Sequence, residues 1–90
     1  SKLIDYIIEW EDKIIAIEIK NRVDTNLSRQ KLLQRFNKFI KENKKVDEIH
    51  LLLKKYHSDL DREIIFQEYD NLQLVEKPKL NVITSNKSIY

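Results

Sequence analysis

The chain has no cysteine, no glycine and no methionine, and a single proline, Pro78, in 90 residues. Without cysteine, disulfides and thiolate metal sites are excluded, and the chain suits a reducing compartment. Without glycine, neither a Gly-rich phosphate loop nor a dinucleotide fingerprint can form, which removes the P-loop and Rossmann nucleotide-binding classes. Every turn must instead be built from Asn, Asp, Ser or Lys. Long apolar runs are missing too. Nothing approaches the roughly 20 residues of a membrane span, and no signal-peptide pattern is present. These absences point to a cytoplasmic protein with no membrane partner. An excess of one charge is also lacking, with 17 Lys and Arg against 15 Asp and Glu. Global charge therefore names no partner, and any surface for a polyanion has to be local.

What remains is an ordinary globular composition, 41% hydrophobic and 36% charged, enough to build one small core. Residues 1–90 read as a single domain or a fragment of one, with a core over 3–56 and a C-terminal extension over 57–90. The chain starts at Ser1 and enters a strand at once, which reads as a piece of a longer protein.

Leu3 to Trp10 and Ile14 to Lys20 are Ile-rich strands joined at Glu11-Asp12. Asp24, Thr25, Asn26 and Ser28 are candidate N-caps for the helix that follows. From Arg29 to about Lys44, the apolar residues Leu32, Leu33, Phe36, Phe39 and Ile40 recur at helical spacing. Ile49 to Leu53 is short and continuously apolar, the pattern of a strand buried on both faces. Ser58 to Tyr69 leans towards helix, Leu72 to Glu76 and Asn81 to Thr84 read as short strands, and the last residues as a fraying end. Strand, strand, helix, strand predicts an α/β fold: a mixed β-sheet with a β-hairpin, a crossover helix and a further strand.

The hairpin raises a physical problem. A turn centred between Glu11 and Asp12 pairs Trp10 with Lys13, Ile8 with Ile15 and Tyr6 with Ile17, and so sets Asp5 opposite Glu18. Side chains alternate along a strand. Asp5, Glu18 and Lys20 then share a face with Leu3, Ile7, Glu9, Ile14 and Ala16. Ile4, Tyr6, Ile8, Trp10, Ile15, Ile17 and Ile19 form the other, which is the more apolar and reads as the core. Cross-strand partners stand roughly 4.5–5.5 Å apart, so two carboxylates there repel. A hard divalent cation reverses the sign, because Mg²⁺ takes one or two carboxylates with water or phosphate oxygens. Lys20, on the same face, reaches the water or phosphate beside such an ion. The Glu-Asp turn lacks the glycine preferred in primed hairpin turns. A four-residue loop with the same centre keeps this pairing, and a bulge shifts it by one residue.

Asp5, twelve intervening residues, then Glu18-Ile19-Lys20 at the end of an Ile-rich strand resembles the D…(D/E)-x-K signature of the PD-(D/E)xK nuclease superfamily. The likeness runs from Leu3 to about Tyr56. It implies a restriction-endonuclease-like αβββαβ core whose N-terminal helix and first strand are missing here, so that a homodimer or a contact with a missing N-terminal part would supply the cover. It implies Asp5, Glu18 and the Ile19 carbonyl as ligands of Mg²⁺, with Mn²⁺ as a substitute, and Lys20 as the residue that positions or activates the attacking water. Some branches add a Gln on the following helix, where Gln30 and Gln34 stand one turn apart. Ile4 occupies the position where Pro is common. The implied activity is metal-dependent phosphodiester hydrolysis in nucleic acid, DNA before RNA.

The helix carries a local surface of the right sign. Arg29, Lys31, Arg35, Lys38, Lys41, Lys44 and Lys45 fall within seventeen residues with Glu42 as the one acid, and Lys31, Arg35 and Lys38 share a face. The bland alternative is a solvated helix face. A further alternative is a catalytically weak nuclease-like module used for binding or oligomerisation. His50 and His57, seven residues apart, have no metal-ligand spacing and read as structural or exposed. Tyr6 and Trp10 read as core.

Overall fold

The structure, a computed structural model, describes residues 3–43 and 45–84. Lys44 and the expected fraying end, 85–90, lie outside the described residues. The elements are β1 (Tyr6–Trp10), β2 (Lys13–Lys20), α1 (Asn26–Glu42), β3 (Glu48–Leu53), α2 (Asp59–Asp70) and β4 (Lys79–Thr84). They form a mixed α/β unit around one four-stranded sheet of order β1-β2-β3-β4, with β1 antiparallel to β2 and the other neighbours parallel. Two successive right-handed crossovers in one direction put both helices on the same face, and residues of both helices enter a single buried cluster.

The hairpin register is the expected one, with Tyr6 opposite Ile17, Ile8 opposite Ile15 and Trp10 opposite Lys13. Glu11 and Asp12 close it with φ of 51° and 65°, both left-handed. That is the primed geometry whose twist matches a two-residue hairpin, adopted here without glycine at a steric cost. α1 starts earlier than its apolar period suggests. Thr25 is its N-cap, in a reciprocal capping box with Ser28. Ser58 and Asp61 cap α2 in the same way.

The helix-covered face is the reverse of the one expected, although Ile15 is buried as expected. Tyr6 and Trp10 are 57% and 63% exposed and Ile8 is exposed, whereas Ala16 and Glu18 are buried. The reason lies in β3 and β4. Ile49, Leu51 and Leu53 stand beside Ala16, Glu18 and Lys20, and Leu80 and Val82 continue those rows. The opposite face of these strands carries Glu48, His50, Lys79 and Asn81, which a helix would have to bury at high cost. Leu32, Leu33, Phe36, Phe39 and Ile40 of α1 therefore share one buried cluster with Ala16, and both Phe36 and Ala16 are fully buried in it. Ile4 also departs from its expected face. The chain bends at Asp5, and Ile4 turns into the core.

β3 is buried on one face and half-buried on the other, not buried on both. Leu72–Glu76 is not a strand. The β3 edge is taken by Lys79–Thr84, and Leu72 and Leu74 pack singly against the core from a loop. Ile65 and Tyr69 of α2 join the core, and the Tyr69 hydroxyl donates to the Pro78 carbonyl at 2.6 Å. Burial pushes that phenol up to about 12. No described helix is long and apolar enough to cross a membrane.

Candidate metal and phosphate site

β2 delivers Glu18 and Lys20 to the helix-covered face, and the bend before β1 delivers Asp5 to the same place. The ladder between β1 and β2 stops at Tyr6 and Ile17. Past it, side chains complete the pairing. The Asp5 amide donates to Glu18 Oε1 at 3.0 Å, and the Ile19 amide donates to Asp5 Oδ2 at 2.9 Å. Each carboxylate thus accepts a backbone N–H from the other's strand. A strand residue turns its N–H and C=O to the same side, so the Ile19 carbonyl faces the β1 side as well.

Glu18 is 1% exposed. Its second oxygen, Oε2, lies 3.4 Å from Arg35 Nη2 of α1 and 3.6 Å from Lys20 Nζ. Burial pushes the Glu18 carboxyl above its ordinary range. Arg35 and Lys20 pull it down, and the Asp5 charge adds to the rise. This carboxyl is set in a core, with the Asp5 amide on one oxygen and Arg35 and Lys20 on the side of the other.

That side opens outwards. A depression of about 580 Å³ is lined by Leu3, Lys20, Arg22, Val23, Ser28, Lys31, Leu32, Gln34, Arg35 and Lys38. Lys20, Arg22, Lys31, Arg35 and Lys38 are cations, and no acid is among the lining residues. The groove lies towards the C-terminal ends of the parallel strands, where open α/β sheets bind ligands. The loop beneath it is pinned by His57, which is buried. Its Nε2 accepts from the Val23 amide at 2.9 Å, and its Nδ1 donates to the Lys55 carbonyl at 2.8 Å.

Of the residues singled out in the sequence, Asp5, Glu18, Ile19 and Lys20 come together, and Lys31, Gln34, Arg35 and Lys38 line the groove with Lys20, Arg35 reaching Glu18. Gln30 does not. It borders a separate depression with Asn26, Asn37 and Glu68. Arg29 is likewise no phosphate contact. It is buried and bonded to Glu68 at 2.9 Å, tying α1 to α2. Lys41 lines a third depression, near Asp47 and Pro78. Arg22 was missed, although it follows Lys20 by two residues. The Arg35–Glu18 pair was missed because nothing in the chain's local pattern joins α1 to β2.

Among the described residues no three or more His, Cys, Asp or Glu side chains converge as a metal cluster. The donor set here is smaller and of a different kind: the Glu18 carboxylate of β2 and the Asp5 carboxylate at the bend before β1, with the Ile19 carbonyl turned to the β1 side. All are hard oxygens, and the groove beside them is lined by cations. That set fits Mg²⁺ or Mn²⁺, which complete their shells with water and phosphate rather than with protein cages. Comparison with family models, with curated proteins and with solved structures gives no match.

Proposed function

We propose that the chain is a metal-dependent nuclease module of the PD-(D/E)xK type that hydrolyses phosphodiester bonds in nucleic acid, DNA before RNA. The observation that carries the reading is the buried Glu18 carboxylate, cross-bonded with Asp5 and paired with Lys20 and Arg35, two of the five cations that line the adjoining groove. A carboxylate in that position weakens the fold at neutral pH, and a cation-dependent activity gives a reason to keep it. The groove suits a polyanion, since half to two-thirds of protein–DNA hydrogen bonds go to the backbone.

Asp5, Glu18 and the Ile19 carbonyl would hold the ion. Bound there, Mg²⁺ supplies Lewis-acid stabilisation of charge on the phosphoryl oxygens. Lys20, reaching from β2 to the groove, donates a hydrogen bond to the attacking water or to a non-bridging phosphate oxygen and orients it. Lys31, Gln34 and Lys38 fix the flanking phosphates, and Arg22 extends that set. A second reading, a nuclease-like module that binds without cutting, is favoured by one observation. Lys20 and Arg35 already balance Glu18 within the protein itself.

A cleavage assay on plasmid, single-stranded DNA and RNA with Mg²⁺ or Mn²⁺ separates the two. We expect metal-dependent cleavage, with plasmid DNA the best substrate. Glu18→Gln should lower it by at least about 100-fold, the upper end for disturbing the partners of a metal site. Undiminished cleavage by Glu18→Gln sinks the site assignment. Binding without cleavage of any substrate establishes the second reading.

A further inference from the structure

We propose that Arg35 is the internal counter-ion of Glu18 in the free protein and transfers to phosphate when a divalent cation arrives, coupling cation binding to nucleic-acid binding through one side chain. The inference rests on the reading of Asp5 and Glu18 as cation ligands. Arg35 Nη2 is 3.4 Å from Glu18 Oε2 and 3.2 Å from the Leu3 carbonyl. The same side chain is 35% exposed and lines the groove with Lys31, Gln34 and Lys38. It spans the distance from a buried carboxylate to the open surface.

Glu18 Oε1 is engaged by the Asp5 amide. The oxygen with no hydrogen bond to the backbone is Oε2, the one that Arg35 and Lys20 share. A divalent cation on Oε2 would stand within a few ångströms of the guanidinium, and like charges so close in a partly buried setting repel strongly. The guanidinium needs another anion within its reach. Its planar fork matches a phosphate through two parallel hydrogen bonds, and the groove it lines is where phosphates would lie. The cation thus binds against Arg35 when alone and without that opposition once phosphate has taken Arg35 away. Whatever factor the nucleic acid contributes to cation affinity, the cation contributes equally to nucleic-acid affinity. Arg35 is a positioning residue in this scheme, acting through Glu18.

The test is Mn²⁺ binding to the full chain at pH 8, followed by calorimetry or by the loss of free-Mn²⁺ EPR signal. It is run with and without a short phosphorothioate oligodeoxynucleotide that resists hydrolysis. Wild type should bind Mn²⁺ about tenfold more tightly with the oligonucleotide present, within the usual range of coupling between sites. Arg35→Gln should bind Mn²⁺ several-fold more tightly than wild type without the oligonucleotide, bind the oligonucleotide more weakly, and show no coupling. A merely structural role for Arg35 would not tighten Mn²⁺ binding. Equal or weaker Mn²⁺ binding by Arg35→Gln overturns the proposal, and if Glu18→Gln has meanwhile lost Mn²⁺, the metal-site reading stands. Wild-type Mn²⁺ binding by Glu18→Gln overturns both. Should Arg35→Gln fail to fold, Arg35→Lys carries the test. It keeps the charge without the fork, and coupling undiminished from wild type overturns the proposal.

Discussion

Glu18 and Glu48 sit on neighbouring strands and opposite faces of the sheet, and each has two basic side chains beside it. Glu18 faces Arg35 and Lys20 at 3.4 and 3.6 Å, and Glu48 faces Lys13 at 3.0 Å and His50 at 2.9 Å. Their carboxyls move in opposite directions. Hydrogen bonds from His50 and Lys13 lower Glu48 to about 2, whereas burial beneath α1 raises Glu18 despite its partners. The covering helix makes the difference. On the open face, water solvates whatever the partners leave over. On the covered face, the charge has lost its hydration and recovers it only in part. The open-face glutamate is placed to stabilise the sheet. The covered one weakens it, and the proposed cation site gives that cost a reason.

The two faces can be separated by mutation. Phe36→Ala, beneath the covered face, should cost about 3–5 kcal/mol. Trp10→Ala, on the open face, should stay within about 0.5 kcal/mol. Denaturant unfolding measures both, and comparable losses would break the contrast. Next in size is the turn that sets the register bringing Asp5 to Glu18. Replacing Glu11 by Asn and Asp12 by Gly puts residues that tolerate the left-handed region at both positions and should stabilise by about 1 kcal/mol, a rise in Tm of about 4–8 °C. An unchanged Tm would mean that these dihedrals carry no cost.

The smallest effect concerns acid pH. The folded value of Glu48 lies below its ordinary 4.5, so its contribution is present above 4.5 and is lost as pH falls towards about 2. Glu48→Gln should lower Tm at pH 7 and flatten the loss of Tm below pH 4.5. The open, half-buried setting of this group keeps the change modest. Glu18 has the opposite sign. Its contribution is full below 4.5 and is lost as pH rises through its elevated value. Glu18→Gln should therefore raise Tm at pH 7 and leave it unchanged in acid. A parallel response of the two variants would refute the distinction between the faces.

Much of this arrangement could be read from the chain. Ile-rich alternation on either side of Glu11-Asp12 fixed the hairpin register, and with it the meeting of Asp5 and Glu18. The spacing of Leu32, Leu33, Phe36, Phe39 and Ile40 located α1. The buried face was misread, because the hairpin was judged by its own apolar content. The decision belonged to β3 and β4, where Glu48, His50, Lys79 and Asn81 make the other face too polar for a helix to cover. Arg35 looked like one cation in a stripe. Its partner Glu18 is 17 positions away in sequence, and only the crossover brings the two together. Arg29 carries the same charge on the same helix and is spent on Glu68 of α2, a partner that no spacing rule identifies.

Thermal unfolding of wild type and Glu18→Gln at pH 7, with and without Mg²⁺ or Mn²⁺, tests the central claim most directly. Glu18→Gln should melt higher than wild type in the absence of metal. Wild type should rise on adding metal, since a ligand of the native state stabilises it, while Glu18→Gln should not respond. A Glu18→Gln protein that melts lower without metal, and responds to metal as wild type does, would contradict the account.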